Sequence, residues 1–283
     1  MQNKPREQRS TTDLPPALAD DGLAAAIRAR LSGRRMALFL DYDGTLTPIV
    51  ERPEQAVLAA EVRQTLRRLA RRCPVAVVSG RALADVRALV ALETVYYAGS
   101  HGYRIEGPTG SGIAHRAGRR FAPAVEQAVA ELRRELSGVE GTEVERKAVA
   151  VAVHYRRVAG EQHAAVERAV RRVADDHRGQ LVLSRGKMVH ELRPDIDWHK
   201  GKAVLWLLEA LDRDGPDGLA IYIGDDTTDE DAFRALAEGD GLGIVVRDAA
   251  EPRATAASYA LDSPGEVHRF LERVAGALRG VRR

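Results

Sequence analysis

Residues 36 to 47, Met-Ala-Leu-Phe-Leu-Asp-Tyr-Asp-Gly-Thr-Leu-Thr, constrain the fold more than any other stretch, because an apolar run stops abruptly at two aspartates one residue apart. The run from Met36 to Leu40 has the length of a strand and carries no charge, which predicts a strand buried on both faces. Asp41 and Asp43 then lie at its carboxyl end. Open α/β sheets bind their ligands in that crevice. Asp41 is therefore a carboxylate aimed at a site.

The spacing has a chemical reading. Asp41 can attack a phosphorus atom and carry an aspartyl-phosphate, which splits one hard displacement into two easier ones. Asp43 can protonate the departing oxygen and later deprotonate a water. Gly44 permits the tight turn between them, and Thr45 offers a hydroxyl and an amide to phosphate oxygens.

Three further segments repeat the pattern. Val75 to Val78 is a second short apolar strand, ending in Ser79-Gly80-Arg81. Ser79 is placed to bind a phosphoryl oxygen, and it also reads as an N-cap for a helix over Leu83 to Leu89. Trp198-His199-Lys200-Gly201-Lys202 opens a helical pattern in which a lysine can neutralise a phosphoryl group, although spacing alone does not say which. Leu219 to Ile223 is another buried strand, delivering Gly224-Asp225-Asp226-Thr227-Thr228-Asp229-Glu230-Asp231. Acids crowded at short range raise one another's pKa until one is neutral, unless a cation intervenes. Mg²⁺ suits such a site, since it takes hard oxygen ligands, one or two carboxylates and the substrate phosphate. Thr227 or Thr228 followed by Glu230 or Asp231 also reads as a helix-capping signature, which leaves Asp225 and Asp229 for the chemistry.

Composition excludes several classes. Lys and Arg number 43 against 41 Asp and Glu, a balance that argues against a nucleic-acid protein. Cys73 is the single cysteine, so there is no internal disulfide and no cysteine zinc cluster. No stretch approaches the roughly 18 to 20 apolar residues of a membrane span. The polar N-terminus lacks a hydrophobic signal core, which predicts a disordered tail over residues 1–20 and a cytoplasmic protein.

Between the second motif and the lysine the pattern changes. From Ile105 onward it reads as strands alternating with helices, with amphipathic helices over Phe121 to Leu136 and Gln162 to Ala174. Strands are expected over Val149 to Tyr155, Leu181 to Leu183 and Met188 to Leu192. An insertion of about 85 residues with its own strand-helix pattern is too long for a loop. The expected organisation is a catalytic core over 21–104 and 191–283, with an α+β cap over 105–190. Such a cap can exclude water and choose the leaving group.

In this order, Asp-x-Asp-Gly-Thr, Ser-Gly-Arg, Lys-Gly and Gly-Asp-Asp-x-x-Asp resemble the haloacid dehalogenase superfamily of phosphohydrolases over about residues 36 to 246. The resemblance implies an α/β class, with a Rossmann-like parallel-sheet core carrying an inserted α+β cap. It also implies that Asp41 is the nucleophile, Asp43 the acid/base, and Ser79 and Lys200 the phosphoryl binders beside Thr45 and Gly80. Mg²⁺ would be held by Asp41, Asp225 and the backbone carbonyl of Asp43. Asp229 would support Lys200 or the waters of the metal, with Asp226 beside it.

The likeness narrows further. Gly99-Ser100-His101-Gly102, Glu145-Arg146-Lys147, His154-Tyr155-Arg156 and Gly186-Lys187-Met188-Val189-His190-Glu191-Leu192-Arg193-Pro194 are similar to the trehalose-6-phosphate phosphatase family. This implies hydrolysis of trehalose 6-phosphate in trehalose biosynthesis, with a functional link to a trehalose-phosphate synthase. It further implies that Lys187 and Glu191 bind the sugar, with His101 and Arg156 as candidate contacts. Glu191 has a plainer alternative in an ion pair with Arg193 or Lys187. His199, Ser100 and the slightly long linker before Lys200 depart from the family pattern on the sugar side. Two rival functions remain: a phosphatase for sucrose, mannosylglycerate or hexose phosphates, and a non-catalytic sugar-phosphate sensor.

Overall fold

A computed structural model describes residues 9–19, 35–186 and 188–278. They fall into two compact units, one from Met1–His115 with Trp198–Arg283 and the other Arg116–Asp197.

The first unit is built on an eight-stranded sheet. Its strands in chain order are β1 (Arg35–Leu40), β2 (Val75–Val78), β3 (Tyr96–Gly99), β4 (Arg104–Glu106) and β5 (Ala114–Arg116), and those of the second half are β10 (Gly218–Gly224), β11 (Leu242–Val246) and β12 (Tyr259–Leu261). The spatial order is β12-β11-β10-β1-β2-β3-β4-β5, with β1 central and parallel to both β10 and β2. Side chains alternate between two buried faces. Met36, Leu38 and Leu40 enter one core layer, and Ala37 and Phe39 the other. That is why the run is apolar throughout, as strands of a sheet covered on both sides must be. Each buried Met, Leu or Phe of the run contributes about 1.5–3 kcal/mol, and Ala37 less.

Helices cover both faces. On the Leu38 side lie α1 (Ala60–Ala70), α2 (Leu83–Val90) and α7 (Pro264–Ala277), the first presenting Val62, Leu66 and Leu69 from one stripe. Helix α7 starts cleanly, because Ser263 accepts the Glu266 N–H and Pro264 occupies the first turn. On the Phe39 side lie α5 (Lys200–Ala210) and α6 (Glu230–Ala237).

Register aligns the chemistry. Leu40 is level with Ile223 on one side and Val77 on the other. The residues that follow, Asp41, Asp225 and Ser79, therefore leave the sheet at one edge.

The second unit is a four-stranded antiparallel sheet, β6 (Glu143–Arg146), β7 (Val151–His154), β8 (Leu181–Gly186) and β9 (Val189–Pro194), in the order β6-β7-β9-β8. Helices α3 (Ala122–Glu135) and α4 (His163–Asp176) bury Val125, Val129, Leu132, Val166, Val170 and Val173 against it. Two expectations need correction. The expected boundaries at 105 and 190 are too early, because β3 turns back into antiparallel β4 and the first sheet gains β4 and β5. The expected tail is ordered over 9–19: Arg9–Ser10 pairs with Ala254–Thr255, and Thr11, Leu14 and Ala17 are buried. Where the chain leaves and re-enters the first unit, the rings of His115 and Trp198 lie 4.8 Å apart, and His115 also stacks on Trp206 at 4.7 Å.

Candidate active site

Asp41 begins where β1 ends, its amide donating to the Ile223 carbonyl at 2.9 Å. Its side chain is buried and faces Lys200, which enters from the first turn of α5. Lys200 Nζ lies 3.0 Å from Asp41 Oδ1 and 2.7 Å from Asp229 Oδ1. Asp229 is wholly enclosed. Its Oδ1 also accepts from the Tyr222 hydroxyl at 2.5 Å, and its Oδ2 from the Asp226 amide at 2.9 Å. With both oxygens engaged by the protein, Asp229 is fixed as the partner that aims Lys200.

The capping box of this turn is formed by Asp226 and Asp229, with Asp226 accepting the Thr227 amide. The threonine–glutamate box expected from sequence is not the one made. Glu230, expected merely to favour a helix start, is instead buried and paired with Arg253 at 2.6 Å. Asp231 pairs with Arg234 at 2.7 Å.

Asp41, Asp225 and Asp229 offer carboxylate oxygens within 4.8 Å of one another. Burial, then the charge of Asp229, pushes the Asp225 carboxyl up to about 6. Burial, then Asp229, likewise raises Asp41 well above the ordinary carboxylate range, with Lys200 pulling the other way. For Lys200 burial favours the neutral amine, and the two carboxylates outweigh it, so its pKa rises. One lysine does not balance three crowded acids, two of them buried and Asp225 half-buried. A hard cation would, and the donor set of carboxylates without thiol or imidazole suits Mg²⁺.

The backbone leaves room for this crowding at Gly44, as it also does at Gly224, where a Cβ would lie 2.3 Å from Asp229 Cγ. Asp225 Oδ1 accepts from the Thr45 hydroxyl at 3.0 Å, and a Cβ on Gly44 would lie 2.0 Å from Asp225 Oδ2. Gly44 also has φ +76, so glycine is required there twice over.

Asp43 is turned differently. Its carboxylate accepts two bonds from the Arg81 guanidinium, at 2.7 and 2.6 Å, and Arg81 is anchored besides on the Pro53 carbonyl at 2.8 Å. Ser79 is buried, its Oγ accepting the Arg81 amide at 3.1 Å. It does not cap the following helix; Ala82 takes that position without a side-chain bond. His101 has φ 55, and its ring packs against Gly80, where a Cβ would lie 2.8 Å from the imidazole Cε1.

The expected sugar contacts divide between the units. His101 belongs to the first; Arg156 and Glu191 belong to the second; Lys187 lies outside the described residues. Glu191 pairs with Lys147 at 3.3 Å, and among the described residues it makes no ion pair with Arg193. Glu145 pairs with His154 at 2.8 Å, and these two residues, with Arg156 and Met188, line a concavity of about 680 Å³.

Sequence reasoning left Tyr222 and Arg81 without roles. Tyr222 had a signal, a hydroxyl two residues before Gly-Asp inside an otherwise apolar strand. Arg81 had only its place after Ser-Gly.

The trehalose-phosphatase family model matches residues 39–265. A trehalose-phosphate phosphatase of Mycobacterium tuberculosis is 46% identical over 273 residues, which cover 96% of this chain and 68% of that protein. A stretch of 253 residues, 88% of this chain, is 47% identical to part of an uncharacterized glycosyl hydrolase from the same species and spans 19% of it. Among solved structures, Aspergillus fumigatus trehalose-6-phosphate phosphatase matches with TM-score 0.68 and 27% identity, covering 93% of this chain and 99% of that one.

Proposed function

We propose, from the premise that this chain belongs to the trehalose-phosphatase family and is a phosphoric monoester hydrolase, that it hydrolyses trehalose 6-phosphate by way of an aspartyl-phosphate on Asp41, with Mg²⁺ as cofactor. The observation that carries the reading is the Asp41–Lys200–Asp229 line at the carboxyl end of β1. A buried carboxylate held against a buried ammonium is poised to meet a dianionic phosphate.

Asp41 Oδ attacks phosphorus in line, and the bond from phosphorus to the sugar oxygen breaks. Asp43 gives its proton to that oxygen. Lys200, Thr45, Ser79 and the Gly80 backbone hold the phosphoryl oxygens in the meantime. A water then gives its proton to Asp43 and attacks phosphorus, and the bond to Asp41 breaks, which restores the enzyme and releases phosphate.

The metal would be held by Asp41, Asp225 and the Asp43 carbonyl, and when bound it neutralises phosphoryl charge and orients the ester. Glu191, Arg156 and His101 are the described residues proposed to contact the sugar, Glu191 foremost, since a carboxylate can accept from paired hydroxyls. The test is phosphate release from trehalose 6-phosphate, sucrose 6-phosphate, glucose 6-phosphate and an aryl phosphate, with Mg²⁺ and with EDTA. Metal-dependent release, strongest on the trehalose ester, is expected. Release from the other esters alone would discard the substrate, and silence on all four would discard the enzyme.

A further inference from the structure

The loop that carries Asp225 is gripped from outside the site. Arg253 donates from Nη2 to the Asp225 carbonyl and from Nη1 to Glu230 Oε1, both at 2.6 Å. One planar guanidinium thus ties together the two ends of the turn from Asp225 to Glu230. Glu230 in turn accepts the Ala256 amide on Oε2 at 2.8 Å, so the buried acid is fully engaged.

Arg253 is itself held by the N-terminal segment. The Thr11 amide donates to the Arg253 carbonyl at 2.9 Å, and the Arg253 amide donates to Thr11 Oγ1 at 3.3 Å. Arg9–Ser10 pairs with the next two residues, Ala254–Thr255, and Arg247 Nη1 donates to the Thr11 carbonyl at 3.2 Å. Leu14 and Ala17 anchor the segment in the two core layers of the sheet. No residue of this chain of contacts carries chemistry, yet it ends on the backbone of a candidate metal ligand.

We infer that Arg253, fixed by Thr11 and its neighbours, is a positioning residue for the metal: it sets the backbone of Asp225 and so aims the carboxylate. This rests on the reading of Asp225 as a ligand for Mg²⁺. A ligand's aim depends on what holds it, and loss of such a support typically weakens metal affinity by roughly 10- to 100-fold. The fork matters as much as the charge. A lysine at the same place would keep a cation beside Glu230 without two donors fixed in one plane.

The experiment measures Mg²⁺ binding to metal-free protein by calorimetry, together with the rise in melting temperature on adding Mg²⁺. The proteins are the full chain and its variants Asp225→Asn, Arg253→Ala, Arg253→Lys and Thr11→Val. Asp225→Asn is expected to lose binding, which secures the premise. Arg253→Ala should then weaken binding by roughly tenfold or more, and Arg253→Lys by a smaller factor with melting near that of the parent in the absence of metal. Thr11→Val should show the smallest loss. If Arg253→Lys and Arg253→Ala melt earlier but bind Mg²⁺ as the parent does, Arg253 is only structural and the inference is overturned. Should Arg253→Ala fail to fold, Arg253→Lys decides on the same terms. If the parent does not bind Mg²⁺, or Asp225→Asn binds as well as the parent, the metal reading itself falls and the inference with it.

Discussion

The molecule holds two clusters of polar, ionisable side chains at similar distances and in different surroundings. In the first unit Lys200 meets Asp41 and Asp229 at 3.0 and 2.7 Å, with side chains no more than 7% exposed. In the second, Lys147 meets Glu191 at 3.3 Å and His154 meets Glu145 at 2.8 Å, with side chains between 33 and 47% exposed. Burial makes the first set depend on its one lysine, since removing that charge strands both acids in a low dielectric. The second set is partly exposed to water, and its pairs are worth about 0–1 kcal/mol. Such pairs part easily and can trade one another for sugar hydroxyls. The contrast suits the two proposed roles, fixed chemistry for the buried cluster and exchangeable sugar recognition for the more exposed one.

The comparison breaks most decisively at Asp41. Asp41→Asn is expected to lower kcat by about three orders of magnitude or more while the melting curve stays close to the parent's. Retained turnover would remove the covalent step. Next comes Lys200→Met, for which metal-free protein should lose about 3–5 kcal/mol in denaturant unfolding, because Asp41 and Asp229 are left buried and unpaired. A loss below 1 kcal/mol would make the two clusters energetically alike. Glu191→Ala sharpens the other side. It should lower kcat/KM for the trehalose ester by roughly tenfold or more and spare an aryl phosphate, since a site built for hydroxyls is left unfilled. Equal loss on both substrates would return Glu191 to a structural role. The smallest effect is expected from the Glu145–His154 pair, whose double-mutant cycle to alanine should give a coupling under about 1 kcal/mol.

The three strand ends that lead to Asp41, Ser79 and Asp225 were legible because a sheet covered on both faces demands continuous apolar runs, and each run stops where chemistry begins. Leu38 and Phe39 show the cause, adjacent residues in opposite core layers. The ordering of residues 9–19 was not legible. That segment is held by main-chain pairing to Ala254–Thr255 and by a few small side chains, and polar sequence hides backbone bonds. Glu230 was misread for a related reason. Local sequence offered a capping role, while its partner Arg253 lies 23 positions away. The capping box itself went to Asp226 and Asp229, because Lys200 and Tyr222 hold Asp229 in place from other elements. The boundaries of the second unit were misplaced since β4 and β5 are short and only tertiary pairing assigns them to the larger sheet.

The ring contact between His115 and Trp198 has a consequence for exchange. The chain departs from the first unit and returns to it at neighbouring points, 4.8 Å apart between rings. Ends that close can be spliced with a short turn, so the intervening segment is a cassette in the sense of domain insertion. Lineages could swap that cassette for another, or drop it, while every strand of the phosphoryl site stays in register.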